Sequence, residues 1–369
     1  MITQGHPASL PPVQLRPCKP ELARALARRC SMKILILKRD KLGDMLLTTP
    51  MFSLLRQQFP EAQIDVLANT YNAWVIDGNQ DVNRVWSYQR VKEGGRIHWR
   101  AAFAQLTQTF ALRREQYDWI IVANGDASHR AIKRGAWLGG KRLVSYTDAK
   151  NCHSGVTDAL AIPHEIHETR RMANLLTPLG VQLPETLPPL SFQLPREAID
   201  FSANWLAEHG LTPGSYITLG LGARRAKKQP TTEQIIRWTG HFFEHYGLKT
   251  VFMWTPGASN NPQYPGDDET AQPVLDANLP WLVPFRGPLK PALGLIFNGR
   301  TSLFPDSGLM HFAAASPGGV LGFFAETDVS PAPAQWGPVG PKALWLDAPK
   351  AVSQFSDEAV LAKVSELLA

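Results

Sequence analysis

From Met32 onward the chain alternates two kinds of apolar pattern. Short continuous runs, "KILIL" (33–37), "QIDVLAN" (63–69), "NRVWSY" (83–88), "WIIVAN" (119–124) and "RLVSY" (142–146), have the length of strands buried on both faces. Between several of them lie segments with three-to-four spacing, such as Leu47, Met51, Leu55 and Phe59, the mark of an amphipathic helix. The alternation predicts right-handed βαβ units around a parallel sheet. Pro50 either opens the first of these helices, with Thr49 as its cap, or kinks a helix begun near Asp44.

A second series follows the proline-rich stretch "GVQLPETLPPLSFQLP" (180–195). Its runs are "YITLGL" (216–221), "KTVFMW" (249–254), "WLVPF" (281–285), "TSLFP" (301–305), "GVLGFF" (319–324) and "ALWLD" (343–347). Two Rossmann-like halves joined by a Pro-rich linker predict an α/β protein with a cleft, where ligands sit at the carboxyl ends of both sets of strands. The expected organisation is an N-terminal extension (1–31), a first domain (32–185), a second domain (186–350) and a closing helix (351–369) capped by Ser356. The extension has Pro and Arg where a secretory signal needs an apolar stretch. It reads as a flexible leader, or as a short basic helix over "PELARALARRC" that touches a membrane face.

Composition narrows the partners. The 369 residues are 44% hydrophobic and 19% charged, as in folded globular proteins, and no apolar run is long enough to span a membrane. A net charge of +6 favours anionic partners, and no nucleic-acid-binding motif accompanies it. Three scattered cysteines, Cys18, Cys30 and Cys152, fit a reducing compartment better than a disulfide scaffold or a cysteine zinc site.

Three stretches carry candidate chemistry. In "LKRDKLGDMLLTTP" (37–50) a strand runs into basic residues, a Gly-Asp pair and a helix. The Gly turn lets a ligand approach the backbone, and Asp44 at the mouth suits either a helix cap or a base for a hydroxyl proton. The stretch lacks the G-x-G-x-x-G dinucleotide fingerprint. In "LFPDSGLMHFAAASPGGVLGFF" (303–324), Asp306 and Ser307 can cap a helix whose free amides would face the cleft and hold a pyrophosphate. "LGLGARRAKKQPTTEQ" (219–234) sets Arg224, Arg225, Lys227 and Lys228 on the same edge, where a lysine can neutralise a diphosphate. "HFFEH" (241–245) matches the H-x-x-E-H zinc pattern, but its helix lies between two predicted core strands, away from the cleft edge.

Together these stretches resemble glycosyltransferase family 9, the lipopolysaccharide heptosyltransferases. The resemblance starts at "MKILILKRDKLGDMLLTTPMFSLLRQQFPEAQIDVLAN", continues through "YDWIIVANGDASHRAIKR", "HETRRMANLLTPLGV" and "KKQP", and ends with "PDSGLMHFAAASPGGVLGFF", covering about residues 32 to 325. It implies a GT-B fold and an inverting, metal-independent transfer with no cofactor. The donor would be a nucleotide-diphosphate heptose, with ADP-heptose the form the resemblance implies, and the acceptor a lipopolysaccharide core at the inner membrane surface, reached by a cytoplasmic enzyme. By matched position, Asp44 is the expected general base. Lys227, Asp306, Ser307, Gly308 and His311 are the expected donor contacts. Lys41, Arg130, Lys133 and Arg134 are the expected acceptor contacts.

The departures are also specific. "RDK" stands where small or hydroxyl residues are usual, "KQP" lacks an aromatic before the proline, and either Asp267 or Asp268 must stand in for the ribose-binding acid. Relatives that glycosylate autotransporter proteins tend to carry a cysteine metal knuckle, which three isolated cysteines do not supply. A non-catalytic nucleotide-binding or assembly protein on the same fold is the remaining alternative.

Overall fold

Each apolar run read above lies in a strand of one of two six-stranded parallel sheets in the computed structural model. The structure describes residues 32–93, 96–222, 226–261, 266–328 and 332–369. The leader, Cys18, Cys30, Arg224 and Arg225 lie outside them.

The first sheet is built from β1 (Lys33–Lys38), β2 (Gln63–Asn69), β3 (Arg84–Tyr88), β6 (Trp119–Val122), β7 (Arg142–Thr147) and β8 (Asp158–Ala161), with a small antiparallel pair, β4 (Lys92–Glu93) and β5 (Arg96–Ile97), set apart. Its spatial order is β3-β2-β1-β6-β7-β8. The second sheet repeats that order as β11-β10-β9-β12-β13-β14, from β9 (Tyr216–Gly220), β10 (Lys249–Met253), β11 (Leu282–Phe285), β12 (Thr301–Pro305), β13 (Val320–Ala325) and β14 (Ala343–Ala348). In this doubly wound order the chain reverses direction between the first and fourth strands of each half, which opens a crevice at their carboxyl ends. The loops after β1, β9 and β12 lie there, and they hold the three candidate stretches.

Helices cover the sheets: α1 (Leu42–Leu46), α2 (Thr49–Gln58), α3 (Trp99–Glu115), α4 (His129–Leu138), α5 (Glu168–Asn174) and α6 (Arg196–Glu208), then α7 (Thr232–Tyr246), α8 (Asp268–Asp276), α9 (Leu289–Asn298), α10 (Gly308–Ala314), α11 (Pro333–Trp336) and α12 (Asp357–Leu368). The Pro50 question resolves into two helices. α1 stops at Leu46, and α2 starts afresh with Thr48 as N-cap and Pro50 in its first turn, where the missing N–H costs nothing. β8 was not visible in the sequence, because "DALA" is a four-residue edge strand with alternating half-exposed positions and no apolar run. Pro284 sits in β11, an edge strand, where the sheet tolerates a residue without a donor.

One apolar cluster runs through both halves, from Ile34 and Met51 to Phe304 and Met310. At the junction Trp74 stacks on Phe312 with centroids 6.1 Å apart, and Phe192 of the proline-rich stretch meets Phe312 edge-on at 4.8 Å. The linker therefore packs as part of the interface. The closing helix α12 packs on the second sheet through Val360, Val364 and Leu367, and Ser356 caps it by accepting from the Ala359 N–H.

Candidate active site

α1 is short because its job is local. β1 delivers the chain to the crevice, and Asp44, in the first turn, reaches back to accept the Lys41 backbone N–H at 3.1 Å. That bond caps the helix, so the plain structural role of Asp44 is real. It engages Oδ2 and leaves Asp44 half-buried in the first turn of α1, just after β1. Capping and proton acceptance are compatible in one carboxylate, since the cap fixes its direction. Lys41 itself is exposed beside it.

At Gly43 the two halves come close together. A Cβ there would lie 3.0 Å from His311 Cδ2 and 3.4 Å from the Gly308 Cα, and one on Gly308 would lie 3.9 Å from the Gly43 N. The N-termini of α1 and α10 thus meet through two glycines, and a side chain on Gly43 would crowd His311 across the junction, whereas one on Gly308 would make only ordinary contact. This apposition sets Asp44 one residue from the Asp306–Ser307–Gly308 turn.

On the second-half side, β12 ends at Pro305 and Ser307 takes an extended conformation before α10. The first amides of such a helix have no intrahelical acceptor. Gly308 is exposed, and the Ser307 hydroxyl is buried without a hydrogen-bond partner, facing Gly222 of the loop after β9. The neighbouring lysines differ sharply. Lys228 is buried and pairs with Asp306 at 2.5 Å, whereas Lys227 is 65% exposed and pairs with Glu326 at 2.9 Å. The buried cation at the turn is therefore Lys228, next to the expected Lys227.

His311 lies inside α10, buried, with Nδ1 unpartnered. Burial pushes its pKa down to about 3, with a further push from His167, so the ring is neutral. His167 caps α5 and bridges the halves: its Nδ1 accepts the Thr169 N–H while Nε2 meets the Gly337 carbonyl at 2.9 Å. These contacts require the Nε2–H tautomer.

A buried charged group in the first half was missed in the sequence. Lys38, fully buried at the end of β1, pairs with Asp40 at 3.0 Å and lies 3.5 Å from the Met172 sulfur. Asp40 also accepts from Asn124 Nδ2. Glu168, at the first turn of α5, sits 3.6 Å from Arg171. Burial raises the Glu168 pKa, Lys38 and Arg171 pull it back, and Asp44 pushes it up again. That coupling places Glu168 in the electrostatic neighbourhood of Asp44. The usable signal was "HETRR", where acidic and basic residues alternate at a helix start, but nothing local says that this face is buried.

The basic residues of α4 form a separate surface. Arg130, Lys133 and Arg134 line a groove of about 760 Å³ between α3 and α4. The Arg134 guanidinium lies 3.9 Å over the Tyr88 ring, and burial lowers its pKa. Tyr88 in turn accepts from Arg39 Nε at 3.3 Å, which carries the basic surface back toward the end of β1. Of the two acids considered for a ribose, Asp268 is held by Arg286, the Trp254 indole and the Gly257 N–H, which keep its carboxyl far below the usual range. Asp267 is buried and accepts from Gln229, the residue standing where an aromatic is usual. His241 and His245 stack on each other on α7 at 3.7 Å. Among the described residues no cluster of three His, Cys, Asp or Glu is placed to hold a metal, and no helix is long and apolar enough to cross a membrane.

Two equally ordered parallel sheets that meet at their switch points define the GT-B class of α/β proteins. Solved structures agree. The chain is similar to a glycosyl transferase of family 9 from Veillonella parvula (TM-score 0.73, 19% identity, 91% of this chain and 97% of that one). It is also similar to the E. coli ADP-heptose lps heptosyltransferase II (TM-score 0.69, 19% identity, 91% and 98%) and to E. coli heptosyltransferase WaaC with ADP (TM-score 0.64, 19% identity, 91% and 100%). At this identity the likeness establishes the fold. No protein-family model matches the chain, and neither does any curated protein sequence.

Proposed function

We propose that the protein is an inverting, metal-independent glycosyltransferase that moves a heptose or related sugar from a nucleotide-diphosphate donor, ADP-heptose first among them, to a lipopolysaccharide core acceptor. The observation that carries this reading is the Gly43–Gly308 apposition, which brings a half-buried carboxylate against a helix start with a buried lysine beside it. Two of the most similar solved structures are named for heptosyl transfer and one of them holds ADP, which supports the donor class.

The chemistry follows from charge. Breaking the bond between the anomeric carbon and the phosphate oxygen leaves negative charge on the diphosphate and positive charge on the sugar. Lys228, the amides at Ser307 and Gly308, and Lys227 further out would stabilise the leaving diphosphate, an effect largest where water is excluded. The acceptor hydroxyl attacks the opposite face, its oxygen bonds to the anomeric carbon, and its proton passes to Asp44. Asp306 has a supporting part, holding the Lys228 ammonium at the turn so that the buried charge is compensated before the donor arrives. The neutral His311 ring, wedged at Gly43, sets the spacing of the two helix starts. Lys41, Arg130, Lys133 and Arg134 would meet the anionic acceptor.

A thermal-shift screen of nucleotide sugars tests the donor. Stabilisation by ADP-heptose above ADP-glucose, UDP-glucose and GDP-mannose is expected. No shift with any nucleotide sugar would leave a non-catalytic protein of this fold.

A further inference from the structure

α3 has two apolar faces. Ala101 and Leu112 turn inward and are buried, while Trp99, Phe103, Leu106 and Phe110 recur at helical spacing on the opposite side. The aromatic side chains on that outer stripe are 76%, 69% and 57% exposed at Trp99, Phe103 and Phe110, and Trp137 of α4 adds another at 64%. Isolated exposed aromatics are ordinary, but a stripe of them marks an interaction surface.

Charge identifies the occupant. α3 and α4 together carry Arg100, Arg113, Arg114, Arg130, Lys133 and Arg134 against a single acid, Glu115. Glu115 is already engaged by Lys33 at 3.1 Å and Arg84 at 2.9 Å. A second copy of the chain docking here about a twofold axis would set cation against cation. The segment 1–31 is no better suited, since it carries Arg16, Lys19, Arg24, Arg28 and Arg29 against Glu21. Aromatic and aliphatic side chains ringed by arginine and lysine match the boundary of an anionic bilayer, where the rings enter the acyl region and the cations meet phosphates.

We propose that the outer face of α3 with the adjoining surface of α4 docks the protein on an anionic phospholipid membrane, with no part of the chain spanning it. The groove between the two helices, with Leu106 and Trp137 among its lining, opens on the same surface. The inference goes beyond the transfer reaction, and Arg130, Lys133 and Arg134, given above to the acceptor, would share this surface with the phospholipid headgroups.

Flotation of the full-length protein with phosphatidylglycerol/phosphatidylethanolamine vesicles, against pure phosphatidylcholine vesicles, is the test. Binding to the anionic vesicles alone is expected, weakening as salt is raised. The triple variant Trp99→Ser/Phe103→Ser/Phe110→Ser should reduce it by about tenfold or more, with melting temperature and nucleotide-sugar thermal shift unchanged. Lys133→Glu should weaken binding less and flatten its salt dependence. Equal binding to both vesicle types, no binding to either, or unchanged binding by the triple variant overturns the proposal. So does a dimer that the triple variant converts to monomer. Because the nucleotide readout is separate, a failed donor screen with intact vesicle binding would overturn the transferase reading and leave this one standing.

Discussion

The two halves share one strand order and present opposite chemistry at equivalent places. In the first half the segment after the leading strand carries a carboxylate, Asp44, and near it lie the buried Lys38 and Glu168, with Lys38 paired to the half-exposed Asp40. In the second half the loop after the leading strand carries Lys228, paired with Asp306 from the fourth strand's loop. The outer helices diverge as well. α9, which follows β11 as α3 follows β3 and its small hairpin, packs so closely on α6 that a side chain at Gly294 would run into the Ala198 carbonyl. α3 leaves its aromatic stripe uncovered. The doubly wound frame thus supplies two equivalent mouths, and the residues after the leading strands give one of them a carboxylate and the other a buried lysine.

The sharpest way to break this comparison is to remove the charge from one mouth. Asp44→Asn keeps the shape and the cap to the Lys41 N–H but removes the base. We expect a fall in transfer of about 10²- to 10⁴-fold with little change in melting temperature, read as release of nucleoside diphosphate in the presence of acceptor. Retention of full activity would show that Asp44 is only a cap.

The second-half mouth should respond next. Lys228→Ala is expected to lower turnover by roughly 10²- to 10³-fold, about 3 kcal/mol of transition-state stabilisation. It should also destabilise the fold, because Asp306 loses its buried partner. Lys227→Ala, at an exposed surface pair, should cost no more than about 1 kcal/mol in stability. Comparing the two in one nucleotide-release assay tells which lysine meets the phosphates. A larger loss for Lys227→Ala would move the diphosphate outward, toward Glu326.

A smaller effect is expected where the mouths meet. Gly43→Ala puts a methyl 3.0 Å from His311 Cδ2, and overpacking of this kind typically costs about 1–3 kcal/mol. Chemical denaturation would read that cost. Gly308→Ala, whose added carbon meets nothing closer than 3.9 Å, is the matched control.

How much of this was legible depends on period and burial. Parallel strands buried on both faces announce themselves as apolar runs, so the core strands of both sheets could be read; β8, half-exposed and four residues long, could not. The site was legible as stretches, because a Gly-Asp turn and a D-S-G helix start are local events. Which of two adjacent lysines turns inward is not local. Lys227 and Lys228 sit in one short 3₁₀ turn, and only Asp306, 78 residues on, decides between them. The buried charged group of the first half escaped for the same reason. Lys38, Glu168 and Arg171 look like surface residues until tertiary packing buries them.

His311 offers the gentlest test, and one that leaves the charged groups of both mouths in place. In the unfolded chain a histidine binds its proton below pH of about 6.5. Folded His311 stays neutral down to about 3, so between these values the unfolded state holds one more proton. Stability from this residue is complete above the upper value and is lost as pH falls through the window, by at most about 1.4 kcal/mol per pH unit. His167, whose pKa burial also lowers, contributes in the same direction. We therefore expect His311→Gln to flatten the dependence of unfolding free energy on pH between 6.5 and 4.5, leaving the residual slope of His167. An unchanged slope would mean that the ring is protonated in the fold, with Nδ1 donating a proton to an acceptor at the junction of the halves.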